Sequence, residues 1–170
     1  MLKAIYKFIE GIALWCLRLL FKILHKEMTP KIEETFVEFV QFGIVGVSNT
    51  IVSYAIYAGT LYLLVQAGLF PSIDYLIANV VSFLLSVLWS FYWNNKYVFK
   101  LEEGEHRNLG KALFKTYVSY GFTGLILNNV LSYLWVGLLG INKLIAPIIN
   151  LLLNVPINFV MNKLWAFKKK

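Results

Sequence analysis

The fold is decided by the stretch at residues 75–93, which reads YLIANVVSFLLSVLWSFYW. It carries no charged side chain, and a helix of about 20 apolar residues spans the roughly 30 Å hydrocarbon layer of a bilayer. Three further apolar segments lie at 39–65, 117–139 and 144–162. The pattern predicts an all-α membrane protein with four transmembrane helices.

The composition agrees with a chain that is solvated mainly by lipid. Hydrophobic residues make up 59% of the chain and charged residues 15%, with a mean hydropathy of +0.66. Soluble domains carry about 45–50% apolar and roughly 25% charged residues. Cys16 is the only cysteine, which excludes an intrachain disulfide, and both His25 and His106 lie outside the apolar segments. We therefore expect neither a metal site nor a cofactor.

The second and fourth apolar segments continue into similar sequences, NNKYVFK at 94–100 and NKLWAFK at 162–168. The first and third also begin alike, with Gly43 and Gly46 against Gly121 and Gly124. Gly43, Gly46 and Ser48 form a small-residue face that favours close helix contact. The similarity predicts a duplicated two-helix unit, with repeats at about 39–100 and 117–168, and duplicated units are common in membrane carriers.

The distribution of Lys and Arg predicts the orientation in the membrane. Segments 1–38 and 94–116 and the end after residue 162 are rich in Lys and Arg. The connections at 66–74 and 140–143 contain one such residue between them, Lys143. Because Lys and Arg collect on the cytoplasmic side, both termini and the central loop should be cytoplasmic. The two repeats would then be parallel, in a multi-pass protein of the cytoplasmic (inner) membrane.

The net charge of +7 indicates attraction to anionic membrane lipids. We expect no nucleic-acid partner, because no basic segment is accompanied by a soluble fold that could read bases. Four helices are few to enclose a path through the bilayer, which favours a homo-oligomer.

Residues 1–30 predict a separate amphipathic helix. At 100° per residue its apolar side chains occupy most of the circumference. The charged and titratable ones fall on one arc: Lys3, Lys7, Glu10, Arg18, Lys22 and His25. A spanning helix would bury several of these charges, and a signal peptide would need an uninterrupted apolar run. We expect the helix to lie in the membrane interface.

Two polar stripes run along the second and fourth apolar segments. Side chains four residues apart drift by only 40°, so each stripe climbs about 18 Å along one helix face. The first consists of Ser82, Ser86, Ser90 and Asn94, and the second of Asn150, Asn154, Asn158 and Asn162. The apolar segments contain no ionisable side chain at mid-depth, which argues against proton coupling. No catalytic constellation is visible, so we do not expect an enzyme.

Two interpretations of the stripes remain open at this point. Ser and Asn side chains support helix packing through hydrogen bonds of about 0.6 kcal/mol on average. Alternatively, they form a path for a hydrophilic head group, with lysines that either anchor the helix ends or hold a phosphate. The candidate substrate-binding residues are Asn49, Ser86, Ser90, Asn94, Lys96, Asn128, Asn154, Asn158, Asn162 and Lys163.

Residues 36–168 resemble the GtrA-like family of small four-helix membrane proteins of polysaccharide glycosylation. The resemblance rests on a Gly-x-x-Gly-x-x-Asn-Thr opening at 43–50 and on two helix ends of the form Asn-x-x-aromatic-x-Phe. Asn94 and Asn162 keep the family's asparagine, but Asn95 and Lys163 stand where arginine is common. Ser53 replaces an acidic residue that many members have.

The resemblance implies translocation of a polyprenyl-phosphate-linked sugar, a flippase function for cell-surface polysaccharide in the cell envelope. It also implies a family-2 glycosyltransferase as partner. The alternative is a membrane anchor or assembly subunit for that glycosyltransferase, with residues 1–28 as a docking surface. A small multidrug exporter is less favoured, because it needs a membrane-embedded carboxylate, and Glu38 and Asp74 both sit at segment ends.

Overall fold

Five helices form the part of the chain that this computed structural model describes, residues 2–142 and 145–168 with the side chains of 2–7 and 147 left out. They are α1 (Leu2–Ile23), α2 (Pro30–Gln66), α3 (Asp74–Val98), α4 (Leu109–Leu138) and α5 (146–166). The all-α prediction is confirmed. Lys143, the first residue of the predicted segment 144–162 and the Lys3 and Lys7 side chains lie outside the described residues.

Three of the helices in these ranges, α2, α3 and α4, are long and apolar enough to cross a membrane. The fourth apolar segment forms α5, whose α-helical part Ala146–Met161 has 16 residues and continues as a π-helical turn, Asn162–Ala166. The α-helical part alone is shorter than the roughly 20 residues that a span takes. Four spans and their arrangement as two parallel repeats remain predictions.

Helix α2 begins nine residues before the apolar segment at 39–65 because its start signal lies there. Thr29 is the N-cap, its side chain accepts a hydrogen bond from the Ile32 N–H, and Pro30 follows in the first turn. Proline suits that position because its missing N–H would have no helical partner. At 1.5 Å per residue, α2 is about 55 Å long. It therefore extends well beyond the thickness of the hydrocarbon layer.

The predicted N-terminal helix forms, and α1 packs antiparallel to the first turns of α2. The Arg18 Nη2 atom lies 2.5 Å from the Glu33 Oε1 atom, and the Gln41 amide donates to the Glu10 carboxylate at 2.6 Å. These charges thus face α2. The opposite side of α1 exposes apolar side chains: Phe8, Ile12, Trp15 and Leu19. The predicted interfacial position stays a prediction.

Both α3 and α5 end in a π-helical turn at the repeated sequence. The Phe99 N–H donates to the Asn94 carbonyl at 2.8 Å, and the Phe167 N–H donates to the Asn162 carbonyl at 2.8 Å. These bonds join residues five apart instead of four, so each hydrogen-bonded loop contains one extra residue and the turn is wider. The two copies of the motif therefore have the same local structure.

The core of the molecule lies where these two helix ends meet. The Phe99 and Phe167 rings stack with their centroids 4.8 Å apart, and Phe159 lies 5.6 Å from Phe42 and 5.9 Å from Phe99. Such aromatic pairs contribute about 0.5–1.5 kcal/mol each beyond their buried area. The buried cluster comprises Phe42, Val45, Val98, Phe99, Phe159, Ala166 and Phe167.

The four glycines of the repeated openings do not mediate close helix contact. A Cβ atom added at Gly43, Gly46, Gly121 or Gly124 would meet nothing within 4 Å. The expectation that Gly43 and Gly46 let a neighbouring helix approach is therefore wrong for the contacts within the described chain, whereas Ser48 does contact α3 through Trp89. The helices are held together by the Phe cluster and by polar side chains instead.

Candidate functional site

Arg107 joins the two repeated helix ends from the connection between α3 and α4. Its Nη1 atom donates to the Phe99 carbonyl at 2.9 Å and to Asn95 Oδ1 at 2.7 Å, and its Nη2 atom donates to the Phe167 carbonyl at 2.6 Å. The guanidinium also lies over the Phe167 ring, 5.1 Å from its centroid. One side chain thus satisfies terminal carbonyl groups of both α3 and α5.

Sequence reasoning missed this residue, although one signal could have found it. The chain has only two arginines among its sixteen Lys and Arg residues. Arg107 is the single arginine in the connection between α3 and α4, which otherwise uses lysine as its cation. Arginine presents several donors in a planar fork, which lysine cannot reproduce. Burial lowers the pKa of the Arg107 guanidinium, and the nearby Glu105 carboxylate offsets part of that shift.

Asn94 lies at the start of the π-helical turn of α3 and is completely buried, with 0% of its surface exposed. Its Nδ2 atom donates to the Ser90 Oγ atom at 3.1 Å and approaches the Tyr120 hydroxyl at 3.5 Å. The Ser90 and Tyr120 oxygens are 2.9 Å apart. The Asn94 Oδ1 atom is buried without a hydrogen-bond partner. The structure therefore brings two predicted site residues together and adds a tyrosine from α4.

Asn162 occupies the corresponding position on α5 and is also completely buried. Its Nδ2 atom donates to the Asn158 carbonyl at 2.8 Å, while its Oδ1 atom has no partner. The Asn158 Oδ1 atom accepts a hydrogen bond from the Thr123 hydroxyl of α4 at 2.8 Å. Helix α4 therefore contacts the polar stripes of both α3 and α5.

Asn150 ties α5 to α4 further along the same stripe. Its Nδ2 atom lies 2.8 Å from Asn128 Oδ1 and 2.7 Å from Ser132 Oγ, and its Oδ1 atom accepts from the Trp135 indole at 3.0 Å. The predicted residue Asn128 is thus engaged in a helix-to-helix network. This part of the stripe has satisfied amide groups and serves packing.

The remaining stripe residues lie between helices rather than on an open channel wall. Ser82 exchanges hydrogen bonds with Ser53 of α2 at 2.7–2.8 Å, and the Ser86 hydroxyl donates to its own helix at the Phe83 carbonyl. Asn49 on α2 and Asn154 on α5 are half-buried, and each has a buried Oδ1 atom without a partner.

The two predicted phosphate-binding lysines lie in different surroundings. The Lys163 Nζ atom lies 2.5 Å from the Glu38 carboxylate and 3.0 Å from the Thr35 hydroxyl, both on α2. Lys96 is exposed, donates to the Tyr92 hydroxyl at 3.0 Å and lies over three aromatic rings of its own helix. The structure therefore shows no contact between these two lysines.

A groove of about 660 Å³ opens between the first turns of α2 and residues 97–102. Its apolar lining includes Met28, Val37 and Leu101, and its charged lining is Glu33, Glu34, Glu38, Lys100 and Glu102. Four carboxylates against one lysine disfavour a free phosphate in this groove.

This architecture, with apolar helices around an interior rich in amide side chains, defines a small helical membrane protein. The family model described as GtrA/DPMS, transmembrane domain, matches residues 41–167. The chain belongs to this family, which confirms the resemblance drawn from the sequence.

Two relatives are similar over much of this domain. The uncharacterized membrane protein YwcD of Bacillus subtilis strain 168 is 31% identical over 126 residues, which are 74% of this chain and 93% of YwcD. The cell wall teichoic acid glycosylation protein GtcA of Listeria innocua serovar 6a is 30% identical over 95 residues, which are 56% of this chain and 65% of GtcA.

We predict that Arg107→Lys destabilises the purified protein by about 2–3 kcal/mol, because hydrogen bonds to charged groups contribute about 1.5–3 kcal/mol each. The lysine keeps the charge but cannot reach Phe99, Phe167 and Asn95 together. Arg18→Lys is the matched control: its ion pair is exposed, so the expected loss is about 0.5 kcal/mol or less. Unfolding in detergent measures both, and equal effects would contradict a role of Arg107 in joining the helix ends.

Proposed function

We propose that this protein moves a polyprenyl-phosphate-linked sugar across the cytoplasmic membrane for glycosylation of a cell-surface polysaccharide. Membership of the GtrA/DPMS family and the similarity to a protein named for teichoic acid glycosylation support this function. The protein acts without catalysing a reaction, by offering the head group a polar path while the isoprenoid chain stays in lipid.

The observation that carries the proposal is a set of buried amide oxygens without hydrogen-bond partners. In the described part of the chain these are the Oδ1 atoms of Asn49, Asn94, Asn154 and Asn162. An unsatisfied buried polar group costs about 1–3 kcal/mol. Sugar hydroxyl groups are hydrogen-bond donors. A passing sugar would therefore donate hydrogen bonds to these amide oxygens, and its own hydroxyl groups would have partners inside the bilayer.

Passage requires α4 to separate locally from α3 and α5. The contacts to be exchanged are hydrogen bonds, such as those of Ser90 with Tyr120 and of Thr123 with Asn158. Bonds between neutral groups contribute about 0.5–1.5 kcal/mol each, and hydroxyls of the sugar can replace them. The stripes thus have two roles in turn: packing in the closed state and binding during passage.

The phosphate group of the substrate binds lysine at the cytoplasmic ends of the helices. Lys96 is exposed and makes no ion pair among the described residues, so it is available to an incoming lipid. Lys163 is held by Glu38 and becomes available only when the phosphate displaces that carboxylate. Lys96 therefore binds first, and Lys163 binds after α5 has moved.

The proposed topology has four spans as two parallel repeats, with α5 as the fourth span and both termini in the cytoplasm. The exposed apolar side of α1 lies on the membrane surface. This arrangement would place α1 and the groove beside α2 within reach of a cytoplasmic glycosyltransferase. The cytoplasmic position of α1 and the groove also favours the second candidate function, an assembly subunit for the glycosyltransferase that makes the lipid-linked sugar.

Glu103→Cys in a Cys16→Ser background tests the topology, because Glu103 is exposed in the connection between α3 and α4 and Cys16 is the only native cysteine. In intact cells, a membrane-impermeant maleimide should leave the introduced cysteine unlabelled, and permeabilising the membrane should allow labelling. Labelling of intact cells would place this connection outside and would contradict the proposed orientation.

We predict that Asn162→Leu weakens retention of polyprenyl-phosphate-linked sugar about tenfold or more, since it removes a buried acceptor worth about 1–3 kcal/mol. Native mass spectrometry of the detergent-purified protein measures the retained lipid. The matched control is Asn79→Leu, which changes an exposed asparagine of α3.

Loss of the bound polyprenyl-phosphate-linked sugar in Asn162→Leu, with retention in Asn79→Leu, would support the proposed polar path for the head group. Retention of only bulk phospholipid, identical in all three proteins, would instead support the assembly function.

A further inference from the structure

Helix α3 carries a run of four aromatic side chains next to its π-helical turn, Trp89, Tyr92, Trp93 and Tyr97, which we call the aromatic ladder. Trp93 contacts the other three, with ring centroids 5.4, 5.2 and 5.3 Å from Trp89, Tyr92 and Tyr97. Trp93 and Tyr97 are stacked, with 23° between their planes. The ladder rises about 12 Å along the helix.

Lys96 places a cation against the ladder. Its Nζ atom lies 5.3 Å from the Tyr92 centroid, 6.0 Å from Trp93 and 5.4 Å from Tyr97. Cation–π contacts of this kind hold the ammonium group beside the rings while leaving it exposed. Aromatic faces and a phosphate-binding cation are therefore adjacent at one end of α3.

The second hairpin lacks this arrangement. When Asn162 is matched to Asn94, the positions of Trp89, Tyr92, Trp93, Lys96 and Tyr97 correspond to Ile157, Val160, Met161, Leu164 and Trp165. Four of these five are aliphatic, although both helix ends form the same π-helical turn. The helix end therefore does not need the ladder or the lysine in order to fold.

The ladder contacts α2 at its Trp89 end. The Trp89 Nε1 atom donates to the Ser48 hydroxyl of α2 at 3.3 Å. Asn49 follows Ser48 on α2, and its Oδ1 atom is buried without a partner. The Trp93 Nε1 atom is also buried without a partner. The ladder thus carries a free donor and meets α2 one residue before a free acceptor.

We propose that the aromatic ladder and Lys96 form the entry site for the glycosyl phosphate head group, an inference that rests on the proposed function. Trp93 is half-buried, and the apolar face of the sugar ring stacks on the part of its ring that Tyr97 and the aromatic core leave exposed. That π-face is electron-rich and favours polarised C–H groups. Lys96 binds the phosphate as a point charge. The Asn49 Oδ1 atom then accepts a hydrogen bond from a sugar hydroxyl as the head group moves inward.

A simple interfacial anchor would not need this arrangement. Tyr and Trp anchors sit at the level of the lipid head groups. Trp89 lies about 12 Å from Tyr97 along the axis, which is deeper than one such belt. The exposed Trp165 of the second hairpin provides an anchor of that kind, without a neighbouring aromatic on α5 at the matched positions.

The test uses the full-length protein in detergent, titrated with three lipids and followed by native mass spectrometry. The lipids are undecaprenyl phosphate carrying glucose, undecaprenyl phosphate without a sugar, and phosphatidylglycerol. Trp93→Leu should weaken binding of the sugar-bearing lipid about tenfold, or about 1.4 kcal/mol, and binding of the sugarless lipid less than about twofold. Lys96→Gln should weaken binding of both undecaprenyl lipids to a similar extent.

The matched control is Trp165→Leu, which should leave binding of the three lipids unchanged. Trp93→Phe keeps an aromatic face and should restore most of the affinity, and unchanged phosphatidylglycerol binding by Trp93→Leu separates stacking from a folding defect. Equal binding of the sugar-bearing lipid by Trp93→Leu and wild type would contradict the ladder as the entry site. So would a loss of phosphatidylglycerol binding as large as the loss of sugar-lipid binding. If wild type binds no sugar-bearing lipid, the proposed function fails as well. If Asn162→Leu loses the sugar-bearing lipid and Trp93→Leu and Lys96→Gln keep it, the proposed function is supported and the proposed entry site is wrong.

Discussion

The contact between the Phe99 and Phe167 helix ends joins the two hairpins of this protein. The two rings stack on each other, pack against Phe159, and receive Arg107 at both backbone carbonyls. This contact fixes α3 against α5, while α2 contributes Phe42 to the same cluster. A membrane protein gains little from apolar burial against lipid, so such specific packing and hydrogen bonds have to hold its helices together.

The same contact positions the polar residues that we connect with function. The π-helical turns begin at Asn94 and Asn162, so these two amides lie directly beside the aromatic core and are fully buried. In the proposed carrier, the helices separate along the stripes while staying joined at this core. The aromatic ladder with Lys96 makes the two hairpins unequal, and we propose that the substrate enters at the hairpin that carries it.

The sequence could predict the helices and the inward stripes because both follow from local periodicity. Ser82, Ser86, Ser90 and Asn94 are buried on one face, as a four-residue step requires. The contacts of Arg107 with Phe167, and of Lys163 with Glu38, join residues 60 and 125 positions apart, which no local pattern encodes. The glycine expectation failed because spacing alone does not show which helix face meets a neighbour, and these faces are open.

The most direct test of the account is transbilayer movement of a fluorescent short-chain polyprenyl-phosphate-sugar in liposomes containing the purified protein. A membrane-impermeant reductant bleaches only the outer leaflet. We expect nearly complete bleaching with wild type, slower bleaching with Asn162→Leu, and about half bleaching of an equally labelled phosphatidylglycerol. Bleaching of the sugar lipid that stops at about half, as in protein-free liposomes, would contradict it.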